Sequence, residues 1–221
     1  SWRKDLTATA LLMVALLLWD AAGRDLAITR LFATAQGFPW RDHWLTSTVF
    51  HEGGRVLGWL LLLALIVNIW RPFISGPTKT ERIRWVLLTL ACVLLVPAIK
   101  RVSPTSCPWD LAEFGGTAQY ISHWRFGLAD GGPGRCFPSG HATAAFGFLS
   151  GYVVLRNSRP SLAHQWLAGV LLLGLAYGTA QMMRGAHYPS HTLWSAFGCW
   201  VICMLGAPRR EFAFRQHQVD G

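Results

Sequence analysis

The sequence predicts an all-α fold, a six-helix bundle of the integral membrane class, in a single domain that spans residues 1–221. Two observations indicate this fold class. Hydrophobic residues make up 52% of the chain and charged residues only 14%, whereas soluble domains carry roughly 25% charged residues. The apolar residues are also concentrated in six blocks that are nearly free of charge. This pattern argues against an ordinary soluble enzyme, a disordered chain and a fibrous repeat.

Each apolar block predicts one membrane helix. The blocks are about 14 to 18 residues long, which is shorter than the roughly 20 residues of a typical spanning helix. We therefore expect the helices to extend into their polar flanks. The alternative is that the blocks are buried helices of a large soluble core. The predicted helices lie near residues 6–19, 56–70, 85–99, 142–155, 166–183 and 193–206, and the tryptophans suited to a membrane interface are Trp19, Trp59, Trp70, Trp85 and Trp166.

The residues around the blocks define the ends of individual helices. The first block has no clear cleavage pattern near Ala21 and five more blocks follow it, so we predict a retained helix rather than a signal peptide. The third block ends at Lys100 and Arg101, and the fourth begins after residues 138–141. Residues 184–192 connect the fifth block to the sixth.

The distribution of Lys and Arg predicts the orientation of the helices. Both termini and two of the connections are expected in the cytoplasm, and the other three connections are expected to face the periplasm or the exterior. The membrane is expected to be a plasma membrane, which in a bacterium is the inner membrane. The net charge of +9 fits an anionic membrane surface or a phosphate substrate better than nucleic acid. The cytoplasmic set is 1–5, 71–84, 156–165 and 207–221, with 11 Lys and Arg in 44 residues, and the outer set is 20–55, 100–141 and 184–192, with nine in 87.

The cysteines divide into two groups. Cys92, Cys199 and Cys203 lie within apolar blocks, where cysteine usually behaves as a small hydrophobic residue. Cys107 and Cys136 share the long outer loop, and an oxidising outer compartment permits a disulfide between them. The alternative is two free thiols.

Three polar stretches lie at the outer ends of predicted helices: the first begins at Lys100 and Arg101, the second contains residues 138–141, and the third is residues 184–192. We therefore expect the active site at the outer membrane face. In residues 138–141, Pro and Ser favour a helix start, and the exposed N–H groups of Ser139 and Gly140 would attract an anion. An ordinary helix N-terminus is the simpler interpretation of this tetrapeptide alone. The three stretches together supply the cations Lys100, Arg101 and Arg184 and the histidines His141, His187 and His191.

Cations and histidines of this kind suit phosphoryl transfer. Cations stabilise the phosphoryl oxygens, one histidine can attack phosphorus, and another can protonate the leaving oxygen near neutral pH. The interpretation as isolated residues is less specific: Lys100 and Arg101 would merely end a membrane helix, and His187 and His191 would form an i, i+4 pair. No acidic residue in the short outer loop supplements that pair, so we expect no metal.

These residues resemble the type 2 phosphatidic acid phosphatase superfamily, whose pattern is Lys-x6-Arg-Pro, Pro-Ser-Gly-His and Ser-Arg-x5-His-x3-Asp. Residues 138–141 match the second motif completely, and Lys100 matches the lysine of the first. Three positions depart from the pattern: Cys107 and Gln181 stand where the superfamily has arginine, and His191 stands where it has aspartate. Arg184 lies one helical turn from position 181 and would reach the same phosphate.

The resemblance implies a membrane phosphatase that acts on a lipid phosphate or pyrophosphate without a cofactor. His187 would attack phosphorus to form a phosphohistidine, and His141 would protonate the lipid oxygen. Lys100, Arg101, Arg184 and the amides of residues 139 and 140 would bind the phosphate oxygens. The alternatives are a lipid phosphotransferase of the same fold and a non-catalytic protein that binds or carries an anionic lipid.

Several outer residues have two interpretations. The polar run before the second block either lines the substrate entrance or is simply solvated. The aromatic residues of the long outer loop are expected to pack at the membrane interface. The first group is His51, Glu52 and Arg55, and the second is Trp109, His123 and Trp124.

Overall fold

The computed structural model describes residues 2–125 and 127–208 of the chain. Within these ranges the backbone is helical and forms no β-strand, in agreement with the predicted all-α class. A π-helical segment, Leu45–Gly53, runs directly into α3, and a 3-10 turn, Gly147–Leu149, joins α5 to α6. The α-helices are α1 (Trp2–Ala21), α2 (Asp25–Arg30), α3 (Gly54–Trp70), α4 (Lys79–Arg101), α5 (Thr143–Phe146), α6 (Ser150–Leu155), α7 (Pro160–Met183) and α8 (Pro189–Leu205).

The expected count of six helices is not confirmed. The six apolar blocks fall on six long helical stretches, if the π-helical segment is counted with α3 and the 3-10 turn with α5 and α6. The helix α2 is additional. It has only 6 residues, and its buried side chains are Asp25 and Thr29, so a search for apolar blocks could not find it.

Three helical stretches in the described part of the chain are long and apolar enough to cross a membrane. They are Leu45–Trp70, Lys79–Val102 and Pro160–Met183. Large apolar side chains on these helices are exposed, including Leu94 at 65% and Leu172 at 69%. An exposed apolar surface of this kind is compatible with a membrane protein.

Local signals in the sequence define where α4 begins. The Thr78 hydroxyl accepts a hydrogen bond from the Glu81 amide at 3.3 Å, and the Glu81 carboxylate accepts one from the Thr78 amide at 2.8 Å. This reciprocal pair satisfies N–H groups that the first turn leaves without helical partners. The helix then runs for 23 residues, about 35 Å at 1.5 Å per residue. Lys100 is therefore held at the opposite end of the bundle from Thr78.

Glycines allow the helices to pack closely. A Cβ atom on Gly54 would lie 2.7 Å from the Tyr177 ring, and one on Gly174 would lie 2.2 Å from the Phe146 ring. Both distances are shorter than a real Cβ contact, so larger residues would force α3 and α5 away from α7. The resulting core includes Trp85, which is fully buried.

A disulfide and a buried carboxylate restrain the long connection between α4 and α5. Cys107 and Cys136 are joined with an S–S distance of 2.09 Å and a Cα–Cα distance of 5.2 Å. The Asp130 carboxylate accepts hydrogen bonds from the Ser106 amide at 2.6 Å and the Ser106 hydroxyl at 2.8 Å. These links connect the chain after α4 to the segment before α5, so they bring the first two polar stretches together.

Candidate active site

Lys100 occupies the last turn of α4 and faces the start of α5. Its Cδ atom lies 3.4 Å from the position that a Cβ atom on Gly140 would take. The side chain lines a cavity of about 380 Å³ together with Gly140 and His141. Arg101 is exposed, and among the described residues it is not part of this lining. The structure thus separates the roles predicted for these neighbouring cations and brings only Lys100 to the cavity.

The cavity has a polar end and an apolar remainder. Lys100, His51 and His141 lie at its polar end, and it extends between α3, α4 and α5 past apolar side chains. A charged group and a hydrocarbon chain could therefore occupy the same space. The apolar part of the wall is formed mainly by Trp59, Leu62, Val93, Pro97, Ala144 and Phe148.

Ser139 is a structural anchor in this conformation. Its side chain is fully buried, and its amide donates a hydrogen bond to the His191 carbonyl at 3.1 Å. Its own carbonyl accepts one from the Ser195 hydroxyl at 2.8 Å. The predicted use of the Ser139 amide as a phosphate donor is therefore corrected, since that donor already has a partner. The bonds instead fasten the turn before α5 to α8.

His141 lies at the wall of the cavity, next to the π-helical segment. Its Nε2 is 3.3 Å from the Phe50 carbonyl of the π-helical segment, and its ring stacks on His51 with 4.4 Å between centroids. Burial lowers the pKa of His141 to about 4, with smaller contributions from His51, Arg184 and Lys100. The ring is therefore neutral near pH 7, and a bound phosphate would raise its pKa.

His187 and His191 form a buried pair at the entry to α8. Their side chains are 3% and 1% exposed, and their Nδ1 atoms lie 3.4 Å apart. When His187 donates through Nδ1, its Nε2 retains an unshared lone pair, which is the form that a nucleophile requires. The pKa of His187 is held well below its usual value, first by burial and then by Lys100 and the neighbouring histidines. In this geometry the His191 ring can accept a hydrogen bond from Nδ1–H of His187.

The disulfide packs directly beside this pair. The Cys136 sulfur lies 3.5 Å from His187 Nδ1 and 3.0 Å from the Ala186 carbonyl oxygen. A disulfide sulfur carries no proton and no thiolate charge, so these are packing contacts rather than hydrogen bonds or metal ligands. The cluster of Cys136, His187 and His191 consequently offers a metal only two imidazoles, which is a poor donor set.

Arg184 is not among the described residues that form the cavity wall. It follows the last turn of α7, and its Nε donates a hydrogen bond to the Arg41 carbonyl at 2.9 Å. Its positive charge is near enough to contribute to the lowered pKa of His141. Burial lowers the pKa of Arg184 itself, but guanidinium remains charged in proteins. Another arginine, Arg55, forms part of the cavity wall together with Lys100 and His141.

His51 and Gln181 were not among the predicted site residues, but both lie next to the site. His51 projects from the π-helical segment into the cavity wall, and its Nδ1 lies 3.3 Å from the Gln181 amide nitrogen. Gln181 is 2% exposed and stands at the position of the superfamily arginine. The polar run before the second block indicated His51 as one of several entrance residues, but no local pattern connects residues 130 positions apart.

Asp25 was also missed, although it supports the histidine pair. Its carboxylate accepts a hydrogen bond from the Ser190 amide at 3.0 Å and another from the Ser190 hydroxyl. The Trp19 indole donates a third at 3.1 Å. The carboxylate thereby caps the first turn of α8, where negative charge is favourable. This cap comes from α2 and fixes the backbone on which His191 sits.

His123 is a largely buried residue that contacts other side chains near the histidine pair. Its side chain is 7% exposed, and its Nε2 lies 3.4 Å from an Asp20 carboxylate oxygen. Its ring stacks on Phe137 with 4.2 Å between centroids and lies 6.1 Å from the His191 ring. Burial lowers the pKa of His123, and Asp20 partly opposes that shift. His123 thus packs behind the histidine pair.

The comparisons with known proteins support a phosphatase. The family model of the PAP2 superfamily matches residues 82–214, a range that contains Lys100, His141 and His187 and covers more than half of the chain. Searches of curated proteins and of solved structures returned no match. The resemblance found in the three polar stretches is therefore confirmed, and the chain belongs to the PAP2 superfamily, whose members are phosphatases that act on phosphate esters.

Proposed function

We propose that this protein is an integral membrane phosphatase that removes phosphate from a lipid phosphate or pyrophosphate. The observation that carries the proposal is the cavity with Lys100 and His141 at one end and an apolar wall along the rest. A lipid phosphate has the same division into an anionic head and a hydrocarbon tail. The cavity lies between α3 and α4, two of the helices that are long enough to span a membrane, so a lipid would enter with its tail already in the hydrocarbon layer.

In the first step, His187 Nε2 attacks phosphorus while the bond from phosphorus to the lipid oxygen breaks. Lys100, the Gly140 amide and Arg184 stabilise the charge on the phosphoryl oxygens. His141 gives its proton to the departing lipid oxygen. It holds that proton only when a phosphate dianion occupies the site, because the negative charges raise its pKa. The products are a lipid alcohol and a phosphohistidine.

In the second step, water attacks phosphorus and the bond to His187 breaks. His141, now neutral, accepts a proton from the water, which returns it to the protonated state. Inorganic phosphate leaves, and His187 is again neutral. The His191 ring accepts a hydrogen bond from the Nδ1–H group of His187, which keeps Nε2 of His187 available. His191 supplies no negative charge, so it stabilises the positively charged form of His187 less than aspartate would.

The positions of the site residues support the predicted orientation in the membrane. Lys100, His141 and Arg184 lie at the helix ends that the charge distribution assigns to the periplasm or exterior. The substrate would therefore be a lipid of the outer leaflet of the plasma membrane. No nucleic acid is expected as a partner.

The experiment is release of inorganic phosphate from a panel of lipid phosphates in detergent micelles, with and without a chelator. We expect release that survives the chelator and falls at least about a hundredfold in His187→Ala and in His141→Ala. The exposed His164 provides a matched control, and His164→Ala should retain wild-type activity.

Other outcomes distinguish the alternatives. Phosphate that appears on a second lipid rather than in solution would indicate a phosphotransferase. Binding of lipid phosphates without any release, in a correctly folded protein, would indicate a carrier. Loss of activity in chelator, restored by a divalent cation, would contradict the metal-independent mechanism.

A further inference from the structure

We propose that His51 is a phosphate-binding residue, held in position by Gln181, and that this pair replaces the arginine that the superfamily pattern places at position 181. The inference rests on the proposed phosphatase function and adds to it a residue outside the range that matches the family model. Three observations carry it: the position of His51 in the cavity, its bond to Gln181 and the state of its neighbour Glu52.

The first observation is the position of the His51 ring. The ring forms part of the same cavity wall as Lys100, Gly140 and His141. It stacks on the His141 ring at 4.4 Å between centroids with an angle of 27° between the planes. A phosphate bound beside Lys100 and His141 would therefore lie within reach of a third group, supplied by the π-helical segment before α3.

The second observation is how Gln181 holds that ring. The Gln181 amide nitrogen is 3.3 Å from His51 Nδ1. An amide nitrogen is only a donor, so Nδ1 acts as acceptor and the ring proton resides on Nε2. Gln181 is almost fully buried, at 2% exposure. A neutral glutamine cannot supply the charge of the missing arginine, but it orients a histidine whose Nε2–H can donate to a phosphate oxygen.

The third observation concerns Glu52, the other neighbour of this proton. His51 Nε2 lies 3.6 Å from a Glu52 carboxylate oxygen, which is too long for a good hydrogen bond. The other Glu52 oxygen is 2.6 Å from the Arg55 guanidinium. Arg55 thus offsets the negative charge of Glu52 near the cavity, and the His51 donor has only a weak partner to give up when phosphate binds.

The test separates hydrogen bonding from ring packing. His51→Phe keeps an aromatic ring next to His141 but removes the donor, whereas His51→Gln removes the ring but keeps an N–H donor. Inorganic phosphate is the probe, and its affinity for each variant is measured by calorimetry in detergent, alongside KM and kcat for lipid phosphate release. His164→Phe is the matched control, because His164 is exposed on α7 and contacts the carbonyl of Pro160 in its own helix.

We expect His51→Phe to weaken phosphate affinity and kcat/KM by about tenfold to a hundredfold, as for a lost hydrogen bond to a charged group. His51→Gln should stay within about threefold of the wild type. Wild-type phosphate affinity in His51→Phe, or an equal loss in His51→Gln, would overturn the proposal and leave the ring a packing role.

Substitution of Gln181 provides an independent test of the proposal. Gln181→Leu should weaken phosphate affinity, because the His51 ring is no longer held in place. When Gln181→Leu is added to His51→Phe, the phosphate affinity should fall by less than about a further twofold. Additive losses would show that Gln181 does not act through His51. If His51→Phe fails to fold, as judged by its thermal transition, Gln181→Leu and His51→Gln decide the question.

A wild-type protein that binds inorganic phosphate but hydrolyses no lipid phosphate would contradict the proposed function, while the phosphate affinities would still test His51.

Discussion

At the scale of single residues, the main departure from the superfamily pattern is His191 in place of aspartate. His191 keeps the hydrogen bond to His187, with 3.4 Å between the Nδ1 atoms, but a neutral imidazole adds no charge. In the proposed mechanism, the orientation of the nucleophile His187 and the stabilisation of its positive form are therefore separated. The separation can be tested by substitution at position 191.

We predict that His191→Phe lowers kcat by about tenfold to a hundredfold, because Nδ1 of His187 loses its acceptor and the ring its preferred tautomer. His191→Asn should retain more activity than His191→Phe, since its amide oxygen can accept the same proton. Single-turnover rates on a lipid phosphate measure the effect. Equal rates in the two variants would show that the acceptor at position 191 does not orient His187.

The residues of the site differ in how far the sequence could predict them. Residues 138–141 form a contiguous motif, and His187 and His191 are one helical turn apart, so their chemistry is visible locally. The contacts of His51 with Gln181 and of Asp25 with Ser190 join positions 130 and 165 residues apart. No periodicity or spacing encodes such pairs, so only the packed helices reveal them.

At the scale of helices, the apolar blocks predicted the long helices but not the elements that shape the site. The helix α2 is short and polar, and the π-helical segment Leu45–Gly53 differs from an α-helix only in its hydrogen-bond register. Both precede the range that matches the family model. They nevertheless place Asp25 at the start of α8 and His51 beside His141.

We predict that Asp25→Ala destabilises the protein by about 1–3 kcal/mol, because the buried Ser190 amide loses its acceptor and α8 loses its cap. For a protein of this size the thermal midpoint in detergent should fall by roughly 2–4 °C per kcal/mol. Activity should also fall, since the cap supports the backbone of His191.

The control for this prediction is Asp42→Ala. Asp42 is exposed in the connection between α2 and the π-helical segment, so its removal should leave the thermal midpoint nearly unchanged. A midpoint in Asp25→Ala equal to that of the control would contradict the capping role.

At the scale of the whole molecule, the cost of burying histidines links stability to pH. His187 and His141 have pKa values below the usual 6.5, mainly because of burial. The unfolded chain therefore binds more protons than the folded protein at pH values just below 6.5. Their contribution to stability is fully present above pH 6.5 and is lost as the pH falls from 6.5 toward the folded pKa values.

We predict that the free energy of unfolding falls below pH 6.5 by up to about 1.4 kcal/mol per pH unit for each of the two histidines. Replacement of both by asparagine should make this part of the profile less steep, whereas His164→Asn should not. Thermal midpoints between pH 7 and pH 4.5 provide the measurement. An identical pH slope in the double variant would show that these rings do not carry the effect.

The direct test of the central claim is to trap the intermediate. Rapid acid-free quenching of the wild-type protein during turnover of a radiolabelled lipid phosphate, followed by peptide mapping, shows which residue carries the phosphoryl group. We predict a phosphoramidate, stable in base and labile in acid, on His187, and no label in His187→Asn. Label on His191 or on another residue, or steady phosphate release by an enzyme that never becomes labelled, would contradict the mechanism.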